Sequence, residues 1–316
     1  MSFGPSAITI GNFDGVHLGH LELMRHVVEM ARRQAARPSV LTFHPHPTQI
    51  VAPERAPKLL MTPDERAALI AEQGIEQILI LPFTPEIAAL SPAAFFEEIL
   101  IRGLGARGVV VGDNFHFGHR QSGNIATLSA LGAGAGIEVE IVPGVYCRGQ
   151  MVSSSEVRRL VRHGQVTQAE RLLGRSFSLR GQVVAGEGRG SRQTVPTLNL
   201  EPTAELLPLH GVYVTRTVDL DTSRRWHSVT NVGVRPTFGG RHVTVETFLL
   251  DKLEGAGPTR IRIDFFYRLR DERKFDSAEE LKAQIFRDVS RAQKWFRRYR
   301  RFVRKSATRP VLQPRT

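Results

Sequence analysis

A turn that combines glycines with two histidines is the stretch of the sequence best suited to chemistry. Residues 11–20 read GNFDGVHLGH and stand between an apolar segment and a helical pattern of apolar residues. At such a strand end in an open α/β sheet, the free N–H groups of the next helix bind phosphate, and glycine lets a nucleotide approach the backbone. His17 and His20 would stabilise charge on an α-phosphate and a departing pyrophosphate. Taken alone, such a pair is more often structural or part of a metal site.

Two later stretches place polar groups in similar positions. Residues 110–118, VVGDNFHFG, put Asp113 and Asn114 where a strand would end, with two phenylalanines available to pack or to stack. Residues 153–158, SSSEVR, combine three hydroxyls and Arg158 at a helix start, which suits a polyphosphate. The alternative interpretations are an ordinary turn above core aromatics and an ordinary helix cap with a surface arginine.

The elements that must position these turns alternate between strand and helix. Apolar segments predict strands at 7–11, 39–43, 77–81, 107–111 and 137–142, and helical spacing or capping residues predict helices at 20–36, 62–72 and 92–102. Strands that are apolar on both faces and alternate with helices are typical of a parallel sheet covered on both sides. The first half is therefore predicted to have an α/β fold.

The pattern changes after about residue 176. Strands are predicted at 177–184, 211–218, 226–232, 244–250 and 259–267, and one clear helix runs from 277 to 291 or beyond. Links rich in glycine, proline and charge between short strands indicate a small antiparallel barrel closed by a C-terminal helix. Residues 155–173 are predicted to be a helical connection, so the predicted domains are 1–176 and 177–316.

The three motifs carry a resemblance, together with residues 42–47 (TFHPHP) and 60–66 (LMTPDER). In order and spacing they resemble the N-terminal module of the prokaryotic bifunctional riboflavin kinase/FAD synthetase family, a Rossmann-like nucleotidyltransferase domain with an HxGH signature. The resemblance implies that the first and third motifs bind ATP and that the segments between them help to hold FMN. It assigns catalysis to His17, His20, Asn114 and Arg158. It assigns nucleotide binding to Gly11, Phe13, Asp14, Gly15, Gly112, Asp113, Ser153, Ser154 and Ser155.

The implied reaction needs no covalent intermediate. A phosphate oxygen of FMN attacks the α-phosphorus of ATP, and pyrophosphate leaves while Mg²⁺ neutralises the phosphates. Catalysis would then rest on positioning and electrostatics. Flavin is both substrate and product.

The resemblance continues into the second half, to about residue 290. Residues 196–199, PTLN, correspond to the family's Pro-Thr-Ala-Asn motif. The oxygens of Thr197 and Asn199, two residues apart on an extended chain, would face one side and suit the Mg²⁺ carried by ATP. Glu246 stands where the family has a general base for the riboflavin 5′-hydroxyl. A strand residue that faces solvent is the alternative interpretation of Glu246 by itself.

One loop departs from the family pattern. Ser191 and residues 193–195, QTV, replace the usual arginine and Leu-Gly-Phe ahead of the Pro-Thr pair. The loop covers the nucleotide phosphates in the family, and the nearby Gly188 and Gly190 are assigned to that role here. His116 also stands where the family often has arginine or another residue.

Composition limits the class of protein and isolates one charged segment. Of 316 residues, 41% are hydrophobic and 23% charged, as in folded globular proteins, and a single cysteine excludes an intramolecular disulfide. Without a long apolar run or a signal-peptide pattern, a cytoplasmic protein is expected. The net charge of +12 is concentrated from residue 287 onward, where eleven lysines or arginines accompany one acid. A solvated basic tail is favoured there over nucleic-acid binding.

The leading hypothesis is a bifunctional enzyme that converts riboflavin to FMN and FMN to FAD, with ATP as co-substrate of both steps. One alternative is an FAD synthetase with a degenerate kinase module. Another is an adenylyltransferase that uses a different phosphorylated acceptor. A third, from a different class, is a catalytically inactive flavin-binding protein that docks on nucleic acid or membrane through its basic tail. The sequence leaves the oligomeric state open.

Overall fold

A computed structural model describes residues 4–184, 197–237 and 240–307. The chain divides into two compact units. The first comprises the chain up to residue 159 with 171–175 and 204–206, and the second comprises 160–170, 176–203 and the chain from 207 onward. Because segments from either side of residue 176 contribute to each unit, the domain limits 1–176 and 177–316 stay a prediction.

The first unit is built on a five-stranded parallel sheet, as predicted. Its strands are β1 (Ser6–Ile10), β2 (Arg37–His44), β3 (Gln77–Pro82), β4 (Ala106–Gly112) and β5 (Glu138–Val142). Their order is β3-β2-β1-β4-β5, and every neighbouring pair is parallel. β1 lies in the middle and is buried along its whole length. The turn after β1 therefore opens at the centre of the carboxyl edge of the sheet.

The helices begin where the sequence offers caps. Thr62 and Glu65 form a capping box at one N-terminus, with Pro63 in the first helical position, and the Ser91 hydroxyl accepts a hydrogen bond from a backbone N–H at another. The helices are α1 (Leu18–Gln34), α2 (Pro47–Val51), α3 (Pro63–Ala71), α4 (Pro85–Ala89), α5 (Pro92–Ala94) with its π-helical continuation (Phe95–Gly103), α6 (Ile125–Ala135), α7 (Ser154–Arg162) and α8 (Val166–Leu173). Short 3₁₀ turns occupy Pro53–Arg55 and His119–Gln121.

Two apolar layers cover the sheet on opposite faces. One contains Ile8 with Leu100 of the π-helix, and the other contains Ala7 with Met24 of α1. Successive residues of β1 thus enter different layers, because side chains alternate across a strand. Both faces of the sheet are buried, as its apolar strands predict.

Helix α6 and the hairpin of β6 (Tyr146–Cys147) and β7 (Gln150–Met151) are absent from the sequence-based prediction. The sequence of α6, IATLSALGAGA, has two internal glycines and no charged residue, so it lacks the polar face that gives a helix its amphipathic pattern. Gly132 has a packing reason, since an added Cβ would lie 2.5 Å from Val139 Cγ2. Close packing on β5 therefore accounts for one of the two glycines, which by themselves weaken a helix.

The second unit is a closed antiparallel barrel, as predicted. Its strands are β8 (Phe177–Val184), β9 (Thr197–Pro202), β10 (Gly211–Asp219), β11 (Arg225–Thr237), β12 (Gly240–Leu249) and β13 (Arg260–Arg270). Their order around the barrel is β10-β11-β12-β9-β8-β13. Strand β9 is the one of these six strands that the sequence analysis does not predict. The long helix α9 (Ala278–Ala307) follows β13 and extends past the predicted end of the C-terminal helix.

The barrel packs apolar groups under α9 and hydroxyl groups on the other face of the same strands. Val214 and Phe266 pack with Ala292 and Phe296 of α9. The opposite face carries a hydrogen-bonded cluster of fully buried hydroxyls, with oxygen–oxygen distances between 2.7 and 3.2 Å. We call this the hydroxyl cluster; its members are Thr215, Thr217, Ser228, Thr230 and Thr247. In the part of the chain that the structure describes, no helix combines the length and hydropathy needed to cross a membrane.

Candidate active site

A cavity of about 1130 Å³ opens in the first unit, at the carboxyl end of the parallel sheet. Its wall includes residues that end or follow the strands, which is where open α/β sheets bind ligands. The predicted site residues on this wall are Gly11, Phe13, His17, His20, Gly112, Asp113, Asn114, Ser153, Ser154, Ser155 and Arg158. Asp14 and Gly15, which the resemblance also assigns to nucleotide binding, are not on the wall. The structure thus brings all three motifs to one cavity.

The turn after β1 has an unusual backbone. Phe13, Gly15 and Val16 have positive φ angles of 49°, 87° and 38°. The side chains of Phe13 and Val16 are buried, and Arg175 donates hydrogen bonds to the carbonyls of Gly15 and Val16 at 2.7 and 2.8 Å. A non-glycine residue in this region costs of order 1–3 kcal/mol, so these contacts are needed to hold the turn.

The two histidines cap α1 reciprocally. His17 Nδ1 accepts from the His20 backbone N–H at 3.3 Å, and His20 Nδ1 accepts from the His17 N–H at 3.4 Å. The rings are stacked, with centroids 3.5 Å apart. Burial lowers the pKa of His17 to about 4 and the pKa of His20 well below its ordinary value, so both rings are neutral at pH 7. Because Nδ1 accepts, the proton of each neutral ring lies on Nε2, which can donate to a phosphate oxygen.

Arg158 reaches the cavity from the first turns of α7 and is held by a buried ion pair. Its Nη2 donates to Asp14 Oδ2 at 2.7 Å, and both side chains are buried. The Ser154 hydroxyl donates to the backbone carbonyl of Asp14 at 2.8 Å, and the Ser153 hydroxyl accepts the Glu156 N–H as a helix cap. Burial raises the pKa of Asp14, and attraction to Arg158 opposes that rise. The first and third motifs are thereby joined through Asp14.

The second motif forms a short turn at the end of β4. Asp113 accepts a hydrogen bond from the Gly144 N–H at 3.0 Å, and the backbone carbonyl oxygen of Asn114 lies 2.9 Å from His116 Nδ1. The rings of Phe115 and Phe117 are stacked, with centroids 5.5 Å apart. Phe117 is buried in a core layer, and both rings border the cavity. These phenylalanines therefore pack in the core, as the ordinary-turn interpretation expects, and also form part of the cavity wall.

Three further polar residues gather at the turn and were missed by the site prediction. Asn12 Nδ2 lies 3.1 Å from His46 Nε2, and both residues border the cavity. Arg66, which is buried, donates to the carbonyls of Asn12 and Phe43 at 2.7 and 3.0 Å. Burial lowers the pKa of His46 to about 4, and the charges of Arg158 and Arg66 act in the same direction. His46 lies in the TFHPHP stretch and Arg66 in the LMTPDER stretch, so these two stretches were the sequence signal that could have identified them.

The second unit aligns the other predicted polar residues across neighbouring strands. Asn199 on β9 pairs in register with Glu246 on β12, which in turn pairs with Asn231 on β11. Thr197 and Asn199 share one face of β9, because alternate residues do, and both are half-buried. Gly188, Gly190, Ser191 and residues 193–195 lie outside the described residues.

The candidate metal ligands are oxygen donors only. Within the described residues, no group of three or more His, Cys, Asp or Glu side chains is placed to hold a metal ion. The Thr197 hydroxyl and the Asn199 carbonyl are the oxygen groups that suit a hard cation already bound to phosphates. They fit such a cation better than they would fit an independent metal centre.

Comparison with known proteins matches two families, one in each half of the chain. Residues 2–156 match the family model described as FAD synthetase, and residues 173–296 match the one described as riboflavin kinase. A bifunctional riboflavin kinase/FMN adenylyltransferase from Pseudomonas fluorescens is 37% identical over 90% of this chain and 91% of its own length. The enzyme of that description from Escherichia coli K12 is 33% identical over 92% of both chains.

A solved structure has the same architecture along nearly the whole chain. It is described as a macrolide-efflux protein from Streptococcus pneumoniae, with a TM-score of 0.84 and 28% identity over 93% of this chain and 96% of that one. The matched families, the curated relatives and the clustering of the three motifs agree. The chain belongs to the bifunctional riboflavin kinase/FMN adenylyltransferase family.

Proposed function

We propose that the cavity of the first unit transfers the adenylyl group of ATP to FMN, and that the second unit phosphorylates riboflavin near Glu246. The observation that carries the first part is the convergence of His17, His20 and Arg158 on one cavity. Membership of the family supports both activities. ATP, riboflavin and FMN are the proposed small-molecule partners, and a cytoplasmic location, where ATP is available, is part of the proposal.

For adenylyl transfer, a phosphate oxygen of FMN attacks the α-phosphorus, and the bond from that phosphorus to the bridging oxygen breaks as pyrophosphate leaves. The Nε2–H groups of His17 and His20 donate to the phosphate oxygens on which charge increases. Arg158 and the free N–H groups at the start of α7 hold the polyphosphate. Asn114 completes the set from the end of β4. No residue forms a covalent bond in this scheme.

For phosphoryl transfer, Glu246 accepts the proton of the riboflavin hydroxyl as its oxygen attacks the γ-phosphorus of ATP and ADP leaves. Thr197 and Asn199 would hold the Mg²⁺ that ATP carries. When bound, that ion neutralises phosphate charge. The register that places Asn199 next to Glu246 supports this assignment, because the phosphate side and the base side of the reaction must be adjacent.

Product analysis with two variants tests the proposal. Purified protein is incubated with ATP, Mg²⁺ and either riboflavin or FMN, and the flavins are separated by chromatography. We expect His17→Gln/His20→Gln to lower FAD formation about 100-fold or more and to leave FMN formation intact. Glu246→Gln should do the reverse, lowering FMN formation about 100-fold or more.

His26→Gln on α1 and Glu280→Gln on α9 are the matched controls, since His26 does not border the cavity and neither residue is among the proposed site residues. Loss of both activities in either site variant would contradict the separation of sites. Formation of FAD but not FMN by the wild-type protein would favour the alternative of a degenerate kinase module. Turnover of another phosphorylated acceptor in preference to FMN would favour the second alternative.

A further inference from the structure

Asp14 lies in the nucleotide-binding turn, yet its side chain does not border the cavity. Its exposed fraction is 1%. The carboxylate accepts the Leu60 N–H, at 3.0 and 3.1 Å from its two oxygens, and it accepts Arg158 Nη2 at 2.7 Å. A carboxylate engaged in this way has no route to a nucleotide. The structure therefore separates Asp14 from the residues around it that border the cavity.

The arginine that Asp14 holds does border the cavity. Arg158 is 7% exposed, and its Nε is buried without a hydrogen-bond partner among the described residues. A long arginine side chain has many rotamers, and each misplaced rotamer removes its charge from the phosphates. The ion pair with Asp14 selects one rotamer before the nucleotide arrives. Preorganisation of this kind lowers the cost of binding and of reaching the transition state.

The buried carboxylate of Asp14 also balances the charges of the two buried arginines next to it. Arg66 is 4% exposed and close enough to Asp14 to interact electrostatically with it. Two buried cations without an anion would be costly to desolvate. With Asp14 present, the group of Asp14, Arg66 and Arg158 keeps one net positive charge, which suits an anionic polyphosphate.

We propose that Asp14 is a positioning residue for FMN adenylylation, which fixes Arg158 against the ATP phosphates without touching the nucleotide. This rests on the proposed role of Arg158. It replaces the assignment of Asp14 to direct nucleotide contact that the resemblance implies.

Kinetics of Asp14→Asn test this proposal. The amide keeps the size of the side chain and an acceptor oxygen but removes the charge. We expect kcat/KM for ATP in FMN adenylylation to fall about 10- to 100-fold, since small misplacements of a catalytic group have effects of that size. The KM for FMN should stay within about twofold of wild type. Riboflavin phosphorylation by the same molecules should not change, because its proposed residues belong to the second unit. Protection of the α1 amides from hydrogen exchange measures folding of the first unit.

A double-mutant cycle separates positioning from direct contact. If Asp14 acts through Arg158, then Asp14→Asn should have little further effect on kcat/KM for ATP in an Arg158→Gln background. An equal fold-loss with and without Arg158 would overturn the proposal, as would an unchanged kcat/KM in Asp14→Asn. Absence of FAD synthesis by the wild type would instead count against the proposed function.

Glu22→Gln is the matched control, because it removes the charge of a carboxylate paired with Arg25 at 2.6 Å on the exposed face of α1. It should leave both activities unchanged. If Asp14→Asn does not fold, Asp14→Ser provides a smaller acceptor for the Leu60 N–H and enters the same cycle. A fall in FMN adenylylation that matches a loss of hydrogen-exchange protection in the first unit would show a merely structural role of Asp14 and overturn the proposal.

Discussion

The buried histidines make the stability of the nucleotide cavity depend on pH. The pKa values of His17 and His46 are lowered to about 4 and that of His20 lies well below its ordinary 6.5. Between about pH 4 and 6.5 these histidines therefore bind more protons in the unfolded chain than in the folded one, so their contribution to stability is complete above pH 6.5 and falls as pH is lowered. The loss is at most roughly 1.4 kcal/mol per pH unit for each histidine.

Hydrogen exchange of the α1 amides measures this effect. We expect the free energy of opening, corrected for intrinsic exchange, to be smaller at pH 5 than at pH 7. The difference between the two pH values should be smaller in His17→Gln/His20→Gln, because His46 is the one histidine of these three that the variant retains. The same difference in the double variant would show that other groups govern the pH dependence.

At the scale of single residues, the sequence predicts which motifs meet but not where each side chain points. His17, His20 and Arg158 border the cavity because strand ends and helix starts meet at one edge of a parallel sheet, a rule that can be applied to a sequence. Asp14 departs from the expectation because positive φ angles on both sides of it break the regular alternation of side chains. Periodicity carries no information about direction in such a turn.

At the scale of elements, two strands of the barrel approach each other so closely at Gly181 that there is no room for a side chain. Gly181 lies on β8 opposite Pro202 of β9, and an added Cβ would lie 1.8 Å from the Glu201 carbonyl oxygen. We expect Gly181→Ala to destabilise the second unit by several kcal/mol, roughly the upper range for single substitutions. Riboflavin phosphorylation should fall with it, while FMN adenylylation, whose cavity residues all belong to the first unit, should persist.

Gly134→Ala on α6 is the matched control for that experiment. An added Cβ there meets nothing within 4 Å, and alanine favours a helix over glycine by roughly 0.5–1 kcal/mol. The thermal transition of this variant should be unchanged or slightly higher. Retained kinase activity and an unchanged Tm in Gly181→Ala would contradict the close approach of β8 and β9.

Strand β9 and helix α6 show which elements a sequence conceals. β9 has six residues and begins directly after a proline, so the alternating pattern is too short to predict a strand; pairing with both β8 and β12 stabilises it. α6 has two glycines and no charged face, so its sequence lacks the amphipathic pattern by which a helix is predicted. Tertiary contacts stabilise both elements, and for β9 the contacts with β12 join residues that are distant in sequence. Elements with a clear apolar pattern, such as β4 and α1, were predicted to within two residues at each end.

At the scale of the whole molecule, we expect the basic C-terminal segment to take no part in either proposed reaction. The described aromatic contacts of α9 with the barrel involve Trp295, Phe296 and Tyr299. We expect a chain that ends at residue 301 to keep both activities within about twofold, because every proposed site residue precedes residue 247. Its retention on a heparin column should fall, since the removed segment is cationic.

That truncation also addresses the alternative of a flavin-binding protein that docks through its tail. Salt-dependent binding of RNA or anionic vesicles by the full chain, lost on truncation, would support a docking role for the tail. Loss of FAD or FMN formation in the truncated protein would contradict the separation of the tail from catalysis.

The two-part architecture was predictable from the change in strand spacing near residue 176. The assignment of residues 160–170 to the second unit and of residues 204–206 to the first depends on packing, which the sequence does not show.

The hydroxyl cluster inside the barrel limits how this protein can drift over evolutionary time. Each of the five hydroxyls forms a hydrogen bond with another member of the cluster. Replacing Thr230 by valine would therefore remove one hydrogen bond from each of the buried hydroxyls of Thr215 and Thr247. A hydrocarbon interior would be an acceptable solution, but single replacements leading to it each pass through a less stable intermediate. We therefore expect lineages to keep these five positions polar together or to exchange them as a set, which makes the cluster a marker of shared descent.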